Sequence, residues 1–256
     1  MVDYVLLSVR RINVDSGYYA ACAGLQTQTQ ALELIANNLA NLNTTGYRGQ
    51  LPMFREMLAA GVGSADPLNQ AINDFSVLSG SLTDMTPGTL DRTGNPLDVA
   101  IEGKGFFVVQ TPTGTQYTRN GNFQMSTSGK LLTAAGDPVL GEDGAVTVPA
   151  GDLSISSDGT LSISGAVSGQ LRIVEFVPGT APVAMGNSYY AAPATAVRPS
   201  PNSRARQGML EASNVNSVSA VVNLLMVQRR AEMLEQAMGA FHSNFDKVAA
   251  NDLPKV

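Results

Sequence analysis

Along residues 18–42, Tyr18, Ala21, Leu25, Gln28, Leu32, Ile35, Leu39 and Leu42 recur at alternating steps of three and four. That spacing is the seam of an amphipathic helix, with Gln28 as its polar member. Asp15 or Ser16 fits the N-cap, and Thr44-Thr45-Gly46 fits the stop, because a glycine readily takes the left-handed conformation. The other end of the chain repeats the device: Leu224, Val227, Ala231, Leu234, Met238, Phe241, Phe245 and Val248 step in the same way. Ser217 fits as N-cap, Glu211 through Val215 reads as an extended lead-in, and Pro254 lies beyond the helix.

Between the helices the period changes. Short apolar stretches alternate with turns, and strands are expected at 97–101, 106–110, 116–119, 122–125, 130–132, 146–148, 153–155, 161–163 and 171–176. Asn120-Gly121, Ser128-Gly129, Asp143-Gly144 and Asp158-Gly159 supply the turns. Strands so short and so regularly spaced indicate an antiparallel domain. Residues rich in Gly, Pro, Ser and Asn on either side of it read as connectors.

The fold class expected is therefore α+β: N- and C-terminal helices forming a coiled-coil-like unit, with a central antiparallel all-β domain. The expected boundaries are an N-terminal assembly helix at 14–46, an extended connector at 47–90, the β domain at 91–196, a connector at 197–216 and a C-terminal assembly helix at 217–250. A helix with one narrow apolar stripe is marginal in water on its own. Both helices need partners, from each other or from further copies, and Tyr47, Met53 and Phe54 add apolar surface to cover.

Composition narrows the function. Charged residues are only 14% of 256 residues, against about 25% in an average soluble domain, so Ser, Thr, Asn and Gln carry much of the surface. The net charge is −5 and no basic run occurs, which argues against a nucleic-acid partner. No apolar run approaches the roughly 18 residues of a membrane span. The N-terminus carries Asp3 early and Arg10-Arg11 after its apolar residues, the wrong order for a secretory signal.

Reactive side chains are scarce. One His and one Cys, His242 and Cys22, stand at opposite ends of the sequence, so no metal site, thiol chemistry or cofactor is expected. Cys22 between alanines reads as a small packed group. Gly103-Lys104-Gly105 begins like a phosphate loop but opens no helix, and reads as a bend between strands. Asp91 with Asp98 and Asp143 with Asp158 are conceivable carboxylate pairs, yet Asp-Gly is first a turn dipeptide. No catalytic residue and no small-molecule substrate is expected.

Residues 36–49 read ANNLANLNTTGYRG. With Asn95-Pro96-Leu97-Asp98-Val99-Ala100-Ile101, Gly103, Gly105, Phe106 and Phe107, with Tyr117-Thr118-Arg119-Asn120-Gly121, and with Leu210-Glu211-Ala212-Ser213-Asn214-Val215-Asn216, the chain resembles the bacterial flagellar rod and hook family of axial proteins. Asp137-Pro138-Val139-Leu140-Gly141-Glu142, Val148-Pro149, Ser157-Asp158-Gly159-Thr160 and Gly169-Gln170-Leu171 are most similar to its proximal-rod members, with the distal rod as runner-up. Two features depart from the pattern. Met1 to Asn13 precede the usual family start, making Val14 the expected initiation site, and Ala231 stands where many relatives carry an aromatic.

The resemblance implies a structural subunit of the basal-body rod, exported without a cleaved signal peptide through the flagellar export apparatus to the periplasm-spanning rod. Its partners would be further copies and other rod proteins. The expected assembly interface comprises Leu25, Gln28, Leu32, Ile35, Asn38, Leu39, Asn41 and Leu42 on the first helix. On the second it comprises Leu224, Val227, Ala231, Leu234, Met238, Phe241 and Phe245. The alternatives from other classes are a secreted adhesive β module on a coiled-coil stalk and a hydrolase using Asp pairs.

Overall fold

A computed structural model describes residues 2–57, 75–149 and 151–252. Helices α1 (Val2–Ala40) and α2 (Ser217–Asp252) bracket a series of short strands. Contacts divide the chain into two units. One comprises Met1–Leu39, Leu51–Leu82 and Ser217–Val256, and the other Ala40–Gln50 and Thr83–Asn216. The architecture is α+β as expected.

The first unit holds both helices and most of a two-stranded ribbon, β1 (Gln50–Met57) with β2 (Phe75–Thr83). The expected helix start at Asp15 or Ser16 is not observed: α1 already begins at Val2. No Pro or Gly interrupts residues 2–16, and Asp or Ser inside a helix costs only about 0.5 kcal/mol. The helix also stops at Ala40, before the expected Thr44-Thr45-Gly46. Turns at Thr44 N–H to Asn41 C=O and Tyr47 N–H to Thr44 C=O, both 3.2 Å, close that end.

The second unit is built on β5 (Phe106–Thr111). It pairs antiparallel with β6 (Gly114–Thr118) on one side, and on the other with β9 (Val139–Gly141) and β14 (Ile173–Phe176). Strands β10 (Gly144–Ala145), β15 (Val183–Gly186), β16 (Tyr189–Ala191) and β17 (Val197–Pro199) complete an eight-stranded sheet. Both faces of β5 are buried, which is why it reads as a continuous apolar run. Phe107 and Val109 join Phe123, Leu131, Val139 and Leu171 on one face, and Phe106 and Val108 join Tyr117, Val174 and Tyr190 on the other.

Smaller ladders close the unit. They pair β3 (Leu90–Arg92) with β19 (Met209–Glu211), β4 (Val99–Glu102) with β18 (Arg204–Gln207), and β7 (Phe123–Met125) with β8 (Leu131–Thr133). A three-stranded sheet of β11 (Leu153–Ile155), β12 (Thr160–Ile163) and β13 (Ala166–Gln170) completes the set.

Several expectations are corrected. The presumed connectors at 47–90 and 197–216 contain paired strands rather than extended links. Their sequences hide this because they lack apolar alternation: β18 reads Arg-Ala-Arg-Gln, and β17 contains Pro199, tolerated because it pairs on one side only. Residues 146–148 form no strand but hold a single bridge from Thr147 to Lys130. Asn120-Gly121 is no hairpin turn, since β6 and β7 pair with other strands. A Cβ at Gly121 would lie 1.6 Å from the Val99 carbonyl oxygen, so a crossing backbone requires the glycine.

Candidate assembly interface

Among the described side chains of α1, the most buried are Ala21, Thr27, Ala31 and Ile35, at 6%, 3%, 0% and 8% exposure. Leu25, Gln28, Leu32, Asn38 and Leu39 are half-buried beside them. The buried line therefore takes in Ala21 and Ile35 of the expected seam together with two small residues beside it, Thr27 and Ala31. Its signal in the sequence is the three-and-four stepping of Gly24, Thr27 and Ala31, which an apolar count passes over. On α2, Ala220 is buried and Leu224, Val227, Ala231, Leu234 and Met238 are half-buried. Phe241 and Phe245 lie on α2, with side chains outside the described residues.

The two helices meet at named points. The Cys22 thiol lies 3.5 Å from the Met238 sulfur, and a Cβ built on Gly24 would lie 3.3 Å from Leu234 Cδ1. Small residues on α1 thus accept larger ones from α2. Outside this contact, Val218, Val222, Leu225, Met226 and Met233 of α2 are exposed at 71%, 43%, 53%, 53% and 59%.

Asn41 and Leu42 follow α1, in the second unit. The Asn41 amide oxygen accepts from the Thr44 hydroxyl at 3.0 Å, which employs it in the turn after the helix. Beyond that turn lies a feature that the sequence reading missed. The guanidinium of Arg48 meets Glu211 Oε1 at 2.6 Å, and that of Arg119 meets Glu211 Oε2 at 3.1 Å, all three side chains being at most 1% exposed. Arg48 also donates to the Thr86 carbonyl, and Arg119 to the carbonyls of Ile101 and Gly103. The Arg119 guanidinium stands 4.8 Å from the Phe106 ring centre.

Around this cluster the backbone is stitched together. Gly46 N–H donates to the Glu211 carbonyl at 2.7 Å, Gly88 N–H to Glu211 Oε1 at 2.9 Å, and Gly49 N–H to Asn214 Oδ1 at 2.7 Å. The Asn214 amide donates to the carbonyls of Asp84 and Thr86, each at 3.0 Å. Arg48 N–H donates to the Tyr190 hydroxyl at 3.1 Å. Burial brings the Arg119 guanidinium down to about 10; Glu211 opposes this and Arg48 reinforces it. Burial likewise pushes the Tyr190 hydroxyl up to about 12.

Two of the carboxylates considered for chemistry, Asp98 and Asp158, are engaged in local hydrogen bonds. Asp98 Oδ1 accepts from the amides of Asn95 and Asn122 at 3.1 and 3.0 Å, and Asp158 accepts from Thr160. Gly103 lies in the link between β4 and β5. Among the described residues, no group of three His, Cys, Asp or Glu could hold a metal, and no helix is long and apolar enough to cross a membrane.

Three family descriptions match the chain in order. Residues 19–48 match the flagella basal body rod protein, 100–163 the D1 domain of the flagellar hook protein FlgE/F/G, and 206–251 the C-terminal part of flagellar basal body rod FlgEFG proteins. Arg48, Arg119 and Glu211 fall one in each matched segment. The chain is 34% identical to the flagellar basal-body rod protein FlgF of Mesorhizobium japonicum, over 91% of this chain and 95% of the relative. It is 34% identical to FlgF of Salmonella typhimurium, over 90% and 96%. With the rod protein FlgG of Agrobacterium fabrum it shares 33% identity, over 83% and 90%.

Proposed function

The chain belongs to the flagellar basal-body rod family, structural subunits rather than enzymes, and from that premise we propose that it builds the proximal rod. In this reading α1 and α2 form a coiled-coil-like pair. Further copies and other rod proteins pack against the pair to line a hollow axial tube. Subunits in such a tube use heterologous contacts, which extend as a helix instead of closing.

The observation that carries the proposal is the α2 surface. Its inner line is half-buried, while Val218, Val222, Leu225 and Met226 stand exposed along the same helix. Apolar residues grouped on one helix face mark a protein contact more often than a bare surface. The proposed contacts combine the leucine seam of α1 with Leu224, Val227, Ala231, Leu234, Met238, Phe241 and Phe245 of α2.

Similarity to FlgF relatives supports the proximal position, and the FlgG relative at 33% identity makes the distal rod the second reading. Delivery follows the same proposal: the chain passes unfolded through the flagellar export apparatus and orders on docking in the periplasm-spanning rod. Quantitative mass spectrometry on isolated basal bodies tests the position. A few copies per structure support the proximal rod, many copies favour the distal rod, and absence rejects rod assembly.

A further inference from the structure

The cluster of Arg48, Glu211 and Arg119 is an unfavourable way to hold a β unit together. Two guanidinium groups share one carboxylate, so the buried cluster carries a net positive charge. Ion pairs of this kind seldom add stability over apolar side chains of similar size. What the cluster does supply is geometry. A carboxylate gripped from both sides, with its own backbone carbonyl bonded to Gly46, admits few arrangements.

The segments gripped are those through which the chain leaves α1 and enters α2. Arg48 and Gly46 follow the end of α1 at Ala40, while Glu211 and Asn214 precede the start of α2 at Ser217. Gly49 to Asn214 adds a second tie between the same segments, and Arg119 anchors both to the β unit through Ile101 and Gly103.

We infer that Arg48, Glu211 and Arg119 are positioning residues for assembly: they hold residues 41–49 and 211–216 in one fixed relation, so that the end of α1 and the start of α2 keep a set spacing in every subunit. The inference rests on the assembly reading above and goes beyond it by assigning helix placement to charged residues that are not members of the helical seams. A chain in which two stretches far apart in sequence must present their helices together gains from a joint that permits only one register.

The test uses the full chain with Cys22→Ala and spin labels on cysteines replacing the exposed Asn43 and Asn216. The distance distribution between labels is compared with that of the apolar replacement R48M/R119M/E211L. Incorporation of the unlabelled chains into rods is scored in parallel. The expected result is a narrow distribution in the parent, a broadened one in the folded replacement, and loss of incorporation. An unchanged narrow distribution overturns the inference, whatever the incorporation, and so does broadening with normal incorporation.

If the replacement fails to fold, Arg48→Lys keeps the charge but removes the forked grip. Broadening and reduced incorporation then support the inference, and a native distribution overturns it. Failure of the parent itself to enter rods counts against the assembly reading, while the label distances still decide whether the cluster sets the spacing.

Discussion

A Cβ placed on Gly46 would lie 2.4 Å from the carbonyl carbon of Arg119, and Gly46 itself adopts φ of +67°. The glycine following α1 is therefore required by a backbone packed against it as well as by its own conformation. Gly46→Ala adds left-handed strain to a clash that no side-chain rotation relieves. The expected loss is about 2–4 kcal/mol in the β unit, measured by denaturant unfolding followed through tyrosine signals.

Burial separates the ion pairs of this chain into two kinds. Glu211→Ala leaves two buried guanidinium groups without their carboxylate and is expected to cost about 3–5 kcal/mol. Glu102→Ala removes the partner of Arg206 in a pair whose side chains are 45% and 54% exposed, and should cost no more than about 1 kcal/mol. Equal losses in unfolding experiments on the two variants would contradict this distinction.

Alkaline pH should weaken the β unit through its tyrosines. Burial pushes the hydroxyls of both Tyr189 and Tyr190 up to about 12, from 10 in the unfolded chain. Their contribution is fully present below pH 10 and is lost as pH rises through about 12, because the unfolded state releases these protons first. Arg119 acts with the opposite sign: held down at about 10 against an ordinary 12.5, it loses its proton first in the folded state and returns some stability over the same range. Two tyrosines outweigh one arginine, so the net change is a fall. Tyr189→Phe and Tyr190→Phe should each make that fall shallower in unfolding midpoints taken at stepped pH.

The helix contact predicts different outcomes for substitutions at one site. At Gly24 an alanine gains about 1 kcal/mol of helix propensity and asks Leu234 to shift slightly, so Gly24→Ala should assemble normally. Gly24→Leu places a branched side chain where Leu234 already sits and should block assembly. Leu32→Asp and Leu234→Asp should likewise abolish incorporation into rods, while the unfolding transition of the β unit stays in place. Normal incorporation of either aspartate variant would remove the seams from the interface.

How much of this was legible in the sequence depended on how local each cause is. The stepping of Leu224, Val227, Ala231, Leu234 and Met238 showed a helix because one turn brings each residue over the next, and each of those positions is half-buried. Asp158-Gly159 marked the turn between β11 and β12 because a left-handed residue is needed there whatever the rest of the chain does. On α1 the same reasoning named Leu25, Leu32 and Leu39 but passed over Ala31, since a small side chain gives a weak apolar signal while permitting the closest approach.

The sequence by itself thus determined the α+β class, the two terminal helices and turns such as Asp158-Gly159, each decided by neighbours within a few residues. Only the tertiary structure decided that Arg119, with Glu211 92 residues away, belongs to the core. Charged side chains are ordinarily left in water, and they are buried here because three distant segments supply the opposite charge and the carbonyls at one point. The same holds for β17 and β18: their side chains carry no pattern, and they are strands because β14 and β4 present backbone partners to them.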